Sequence, residues 1–507
     1  MLCVCCVCAS VRLAAQCPDG SPPPCGPRHA PPPSLSVAVL DFRTSSRDPD
    51  DSLLAEGFTE ELNTSLGKVP SLVVSSRGLV RRYRGQALDP ITAGRLFNTA
   101  YVVSGTLERG GGRVRVRVEL ARASTGAVTW SDAFERPNGD LMGLEADLAS
   151  AVAGAIAGRL RPGERAALTR QPTRVPAAWE QYVRGNVLIA RREVGGLDGA
   201  IAAYTAAVRL DSNFAAAWAR LAEGLSLAPY YAYREPGVDS GALAQRKRLA
   251  AARALALDSS SAEAWMAVGF VRYDDRRWPE AFAAWHRAVS LDSSIAEPHY
   301  HLGSALKALS SDQATAERHL RLARALDPSL INAVSWLADL LWKEGRTFEA
   351  LACFDTLFAM APELAHGAFT ADSHIELRLL SGDSAAARTE LADLLSRSLA
   401  SDSARVLAIA ARTQAQLGET ALARVTLRRV DPDPYASPAG PGGSRDLSLA
   451  LAAAHTALGE YQRALQILEA RRDVDGIELW DGLRASYFLP LRRDPRFARL
   501  LESVWPK

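Results

Sequence analysis

Apolar residues follow two different rhythms along this chain. In the first third they form short runs and alternations: Leu35 to Phe42 is almost continuously apolar, and Arg113 to Val118 alternates arginine with valine. A period of two sends successive side chains to opposite faces of a strand, and an unbroken run suits a strand covered on both faces. From about residue 177 onward the texture is helical, rich in Ala and Leu. The expected fold is an α+β domain with a mixed sheet and flanking helices, followed by an all-α solenoid.

In the front part, strands are predicted at 35–42, 71–76, 100–108, 113–121 and 127–134, with helices at 53–67, within 77–97 and at 139–160. Gly110-Gly111-Gly112 turns one hairpin and Ser124-Thr125-Gly126 the next. Asp51 or Ser52 is placed to cap the first helix, a simpler use of Asp48-Pro49-Asp50-Asp51 than a calcium loop, which would need spaced ligands and a distal Glu.

The second part repeats itself. Leu210-Asp211-Ser212 returns as Leu257-Asp258-Ser259, Leu291-Asp292-Ser293 and Leu326-Asp327-Pro328, with Met360-Ala361-Pro362 after them; the last four stand 34, 35 and 34 residues apart. That period marks helix pairs that cannot bury their own apolar face and must stack. Within one period Trp265, Val268, Gly269, Ala281, Trp285, Ala288 and Ser293 fall at the tetratricopeptide spacing, and the repeats resemble that family. Small residues are expected where the paired helices meet, with Trp265 and Trp285 filling the space between them. Earlier and later units align on the same frame, from Gly185/Ala200/Tyr204/Ala207 to Leu451/Ala452/Ala464/Leu468, giving roughly eight units. Asp494-Pro495 begins a terminal capping helix.

The front part resembles the amino-terminal domain of TolB and its FlgO-like relatives. The match is carried by Val37 to Phe42, Ala55 to Leu62, Tyr101 to Thr106, Arg113 to Val118 and Thr125 to Trp130. In that family the domain often follows a kinase, cyclase or DNA-binding module and is not itself known as an enzyme; no such module is legible ahead of it here, so signalling output is expected to be absent. The expected organisation is a signal peptide at 1–16, a Pro-rich tether at 17–34, the α+β domain at 35–165, repeats at 177–490 and a capping helix at 491–507. The Pro-containing stretch 161–176 is the expected boundary between two separately stable parts.

Composition changes this picture little: 48% hydrophobic and 23% charged residues suit a globular chain, and a net charge of +2 argues against a dedicated nucleic-acid binder. No apolar run is long enough for an integral membrane helix. Cysteine usage is lopsided, with six of seven before residue 26. Leu2 to Ala15 resembles the apolar region and small-residue cleavage site of a secretory signal, although no Lys or Arg precedes it. Cleavage near Gln16 would leave Cys17 and Cys25 in a turn-rich stretch able to close a disulfide loop. No His or further Cys stands at zinc spacing from that pair, so no metal is expected.

No catalytic constellation is legible and no cofactor is expected. Gly110-Gly111-Gly112 lacks the Lys-Ser/Thr and helix of a phosphate loop, and neither HExxH nor GxSxG occurs. Arg113, Arg115 and Arg117 share one strand face; they are either a solvated face or, with Arg81, Arg82 and Arg84, a surface for an anion. His299 and His301 point too far apart on a helix to grip one ion, and His299 takes a core position. Binding residues are expected on the inner helices of the solenoid: Phe270 and Tyr273 with Glu263 and Met266, then Tyr300 and Lys307 with Glu297, then Asp339, Trp342 and Lys343. Tyr230, Tyr231 and Tyr233, on an insertion between helices, are expected either to contact a partner or to pack back on the solenoid. Together these features predict a non-enzymatic scaffold of the cell envelope that holds a peptide or partner protein. The alternative is a cytoplasmic accessory subunit of a signalling system.

Overall fold

The computed structural model describes residues 32–191, 196–228, 240–310, 312–360, 368–397, 403–430, 445–470 and 476–504. The expected signal, the tether up to residue 31, the Cys17–Cys25 loop and the tyrosine insertion lie outside them.

A five-stranded sheet of order β2-β1-β3-β4-β5 opens the fold. Its strands are β1 (Ser36–Val39), β2 (Val73–Val74), β3 (Tyr101–Gly110), β4 (Arg113–Arg122) and β5 (Val128–Pro137). β1 runs parallel to β2 and β3, while β3, β4 and β5 form an antiparallel meander. Helices α1 (Pro49–Gly67) and α4 (Leu141–Ala157) cover one face; α2 (Arg77–Arg81) and α3 (Pro90–Phe97) cover the other at β1 and β3. The two-sided cover explains the unbroken apolar run: Val37 and Val39 join the core under α1 and α4, and Ala38 joins Val80, Ala93 and Phe97 opposite. Gly110 pairs with Arg113, so Gly111 and Gly112 are the two turn residues, at φ +60° and +78°, both in the left-handed region that a tight hairpin requires. The first helix starts earlier than expected. Asp48, not Asp51 or Ser52, caps it, accepting from the Asp50 amide at 2.9 Å with Pro49 in the first turn.

The 161–176 boundary contains a helix, α5 (Pro162–Thr169), and the core does not stop there. Trp179 and Val183, on the first repeat helix, belong to the same apolar cluster as Phe58, Leu62 and Leu148 of the front domain. The two parts therefore share buried surface.

Among the described residues sixteen helices follow as pairs: α6 (Pro176–Arg191) with α7 (Gly196–Leu210), α8 (Ala215–Leu227) with α9 (Ser240–Leu257), α10 (Ala262–Asp274) with α11 (Trp278–Leu291), and α12 (Ala296–Leu309) with α13 (Gln313–Leu326). Next come α14 (Ile331–Lys343) with α15 (Thr347–Met360), α16 (Ala368–Leu380) with α17 (Ser384–Arg397), α18 (Ser403–Gln416) with α19 (Thr420–Leu427), and α20 (Arg445–Ala457) with α21 (Tyr461–Glu469). They are tetratricopeptide-like helical repeats. The recurring Leu-Asp-Ser phrase has a local cause: each Asp carboxylate accepts from the amide two residues on, at 2.9 Å for Asp211, Asp258, Asp292 and Asp327, and so fixes the turn between units. Trp218 and Trp265 serve the same turn, donating from their indole nitrogens to Ser212 and Ser259 carbonyls at 3.0 and 2.9 Å. Trp285 fills the space between paired helices as expected, and Trp265 packs half-buried against the same cluster. A Cβ at Gly269 would stand 2.2 Å from the Trp285 indole nitrogen, which is why that position is glycine.

The last described stretch departs from the repeat pattern. Instead of continuing the stack, α22 (Gly476–Leu483), a 3₁₀ helix (Ser486–Arg493) and α23 (Pro495–Ser503) fold back, and α22 reaches α12. Asp494 caps α23 through the Arg496 amide, as expected.

Candidate functional site

The first helix of each pair faces inward, and four of these inner helices converge on residues 480–488. Lys307 on α12 bonds both carboxylate oxygens of Asp481, at 2.9 and 3.0 Å, and also pairs with Asp339 on α14. Lys343, one turn beyond Asp339, reaches Asp481 at 2.5 Å and Asp339 at 3.0 Å. Two lysines and two aspartates thus form a neutral buried tetrad. Lys307 is fully buried, and its ammonium also lies 4.7 Å from the Trp336 ring centre. Burial opposes charge on Asp481, but Lys307 and Lys343 outweigh it and hold its carboxyl well below the usual range. Burial, helped by Lys307, pulls Lys343 down against the attraction of both carboxylates.

The contacts continue along the segment. Trp342 donates its indole N–H to Ser486 Oγ at 3.2 Å, and Ser486 donates to Glu376 on α16 at 3.0 Å. Arg412 on α18 pairs with Asp372 at 2.5 Å and covers the Tyr487 ring at 5.1 Å. Burial drives the Tyr487 hydroxyl pKa upward. Apolar residues of the segment, among them Leu483 and Phe488, lie in the same continuous cluster as Leu337, Ile375 and Ile409.

The amino half of the inner face is occupied as well. Helix α1 packs against α6, where Glu61 accepts from Asn186 at 3.1 Å and Gly57 lies against Val183. Helix α2 spans further: Arg81 donates to the Ala190 carbonyl at 3.0 Å, and Ser76 donates to Asp327 at 2.8 Å. Burial pushes the Glu61 carboxyl up despite Lys68, the Asn186 bond and Arg220.

The expected binding residues fall into two sets. Lys307, Asp339, Trp342 and Lys343 meet the chain's own segment. Phe270 and Tyr273 pack on Trp285, with ring centres 6.3 and 5.7 Å away, and Tyr300 lies half-buried beside His301. His301 stacks on Trp285, and burial lowers its pKa to about 3. His299 is buried as expected; its partner is His319, with the Nδ1 atoms 2.9 Å apart, and burial together with His299, His286 and Arg318 lowers His319 to about 4. The arginines do not form one patch: Arg113 and Arg115 pair with Glu135, Arg81 with Glu60 and Arg84 with Glu56. Among the described residues no cluster of three or more His, Cys, Asp or Glu could hold a metal, and no helix is long and apolar enough to cross a membrane.

Sequence reasoning missed Asp481, Ser486, Tyr487, Glu376 and Arg412. The available signals were Gly482 and Pro490, both poor residues for a repeat helix, and the loss of the Ala-x3-Phe spacing after residue 470.

No family model matches this chain. It is 29% identical over 163 residues to "Putative adenylate cyclase 3" of Rhizobium meliloti (strain 1021), a match covering 31% of this chain and 28% of that protein. The chain therefore spans less than a third of that relative. Similar solved structures include YrrB, a tetratricopeptide repeat protein with an unusual peptide-binding site, at 22% identity and TM-score 0.28, covering 38% of this chain and 91% of that one. A tetratricopeptide repeat protein from Parabacteroides merdae ATCC 43184 overlays at 13% identity and TM-score 0.33, covering 54% and 99%. Scores this low have no bearing on what the present chain binds.

Proposed function

We propose that this chain is a non-enzymatic protein-binding scaffold of the cell envelope, a TolB amino-terminal-like domain fused to tetratricopeptide-like repeats. The observation that supports it most directly is what the inner face does within the molecule. It grips two protein elements, α1 at one end through shared apolar core and the Asn186–Glu61 hydrogen bond, and residues 480–488 at the other through acid–base pairs and an aromatic ring. The same chemistry suits an acidic or aromatic segment of a partner. In this reading the partner's contacts are Phe270, Tyr273 and Tyr300, on the stretch between the two, and a second set is proposed at Tyr230, Tyr231 and Tyr233, which lie outside the described residues.

The test is affinity capture from separated envelope and cytoplasmic fractions with the wild-type chain and with Tyr273→Ala/Tyr300→Ala. Anchoring aromatics should cost the captured partner at least ~2 kcal/mol of affinity. Undiminished binding places the partner elsewhere, and loss of cooperative melting assigns the rings to the core. Intact mass of the native protein tests export: a chain beginning near Gln16 with a Cys17–Cys25 disulfide is expected, and a retained Met1 with free thiols refutes it.

A second reading has one observation behind it, the 163-residue similarity to a protein named for adenylate cyclase activity. In that reading the chain is a cytoplasmic accessory subunit of a separately encoded cyclase or kinase. Recovery of such an enzyme from the cytoplasmic fraction alone would establish it over the envelope scaffold.

A further inference from the structure

The inserted segment leaves a cavity of about 400 Å³ beside the tetrad, at the small end of the roughly 300–1,000 Å³ of ligand sites. Trp480, Leu483 and Leu501 give it an apolar wall, and Lys343, Arg484 and Arg492 reach it from the other sides. Lys343 is already neutralised, since the tetrad's two ammoniums and two carboxylates cancel. The arginines are in a different position. Arg484 lies over the Trp480 ring at 4.8 Å and donates one N–H to the Lys307 carbonyl at 3.2 Å; Arg492 donates one to the Arg484 carbonyl at 3.1 Å. Those are backbone acceptors, and among the described residues neither guanidinium pairs with a carboxylate. Each carries five N–H groups, so most of their donors remain for something else. Arg492 is exposed at the cavity mouth; partial burial of its guanidinium and, second to it, the neighbouring Arg484 lower its pKa. On the cavity wall Gln313 spends its amide N–H groups on the Lys307 and Ser310 carbonyls, and its own oxygen is buried without a hydrogen-bond partner.

We propose that this cavity binds a small phosphate monoester with an aromatic or apolar body. Two unneutralised guanidiniums match a dianion in charge and in forked geometry. The Trp480, Leu483 and Leu501 wall takes the body, and the Gln313 oxygen accepts from a hydroxyl or N–H on it. The site stands independently of the scaffold reading, because none of its residues is needed for a partner to reach Tyr273 or Tyr300.

Calorimetric titration of the full chain with phenyl phosphate, inorganic phosphate and benzoate tests it. Phenyl phosphate should bind with a Kd below about 1 mM, at least tenfold tighter than either of the others. Arg492→Gln, at an exposed side chain, and Leu501→Trp, which fills the cavity, should each weaken phenyl phosphate at least tenfold while the melting temperature holds. Benzoate binding as tightly overturns the dianion, and inorganic phosphate binding as tightly overturns the apolar body. No binding of phenyl phosphate at millimolar concentration, or binding that both variants leave unchanged, overturns the site.

Discussion

The two ends of the inner groove are closed by the same chain in opposite ways. At the amino end α1 meets α6 through shared apolar core, with Trp179, Val183 and Phe58 in one cluster and Glu61 half-buried at its border. At the carboxyl end the closing segment brings a carboxylate into a site already holding two lysines and one aspartate. The first closure would survive with its charges removed, because area carries it. The second depends on the charges balancing, since a buried ion without its partner costs more than the pair contributes. One solenoid face thus serves as a hydrophobic dock at one end and an electrostatic one at the other.

Asp481→Ala probes that contrast with the largest expected effect. It leaves Lys307 and Lys343 facing Asp339 alone, and the expected loss is about 3–5 kcal/mol by denaturant unfolding. Lys307→Met/Asp481→Leu should recover most of it, because the remaining Lys343–Asp339 pair, at 3.0 Å on one helix face, is neutral by itself. A single variant as stable as wild type would show that water reaches the tetrad.

Titration separates the two ends by sign. Glu145 on α4 is buried, with one carboxylate oxygen lacking a partner; burial, with Glu61 adding to it, pushes its carboxyl up to about 7. A carboxyl raised in the fold costs nothing below its unfolded value near 4.5, and its cost grows as pH rises to about 7. Glu145→Gln should therefore be neutral at pH 4 and stabilising by about 3 kcal/mol at pH 8. Asp481 has the opposite sign. Its lowered carboxyl supports the fold above the unfolded value near 3.8, and that support fades as pH falls below it. Unfolding curves of Glu145→Gln and wild type across pH 4–8 check the first claim, and a constant difference between them would refute it.

What could be read from the sequence follows from how local each signal is. The 34-residue period, the alternation in β4, the glycine turn and the Asp494-Pro495 cap are set by neighbours within a few residues, and each has its counterpart in the fold. Lys307, Asp339 and Lys343 could be placed on inner helices by the same frame. Their partner could not, because Asp481 lies 174 residues beyond Lys307 and looks like an ordinary surface acid in a helical stretch. The shared core at 161–183 was hidden for a related reason. Prolines mark a change of texture, and Trp179 looks like any apolar residue of a first repeat until α1 is seen against it.

The smallest effect tests the amino-terminal closure directly. Gly57 sits on α1 where a Cβ would come within 2.1 Å of Val183 Cγ1 and 3.4 Å of Val187 Cγ2, so Gly57→Ala forces a methyl into filled space. Alanine favours the helix by up to about 1 kcal/mol over glycine. Overpacking of this kind costs about 1–3 kcal/mol. The contact should win, for a net loss of up to about 2 kcal/mol, the difference of those two terms. Val183→Ala, which opens the facing space, should reverse the sign and make Gly57→Ala stabilising in that background. A double-mutant cycle by chemical unfolding gives the answer. Additive effects would mean that α1 and α6 do not press on each other at this point, and that the front domain docks through its polar rim at Asn186 and Ala190 instead.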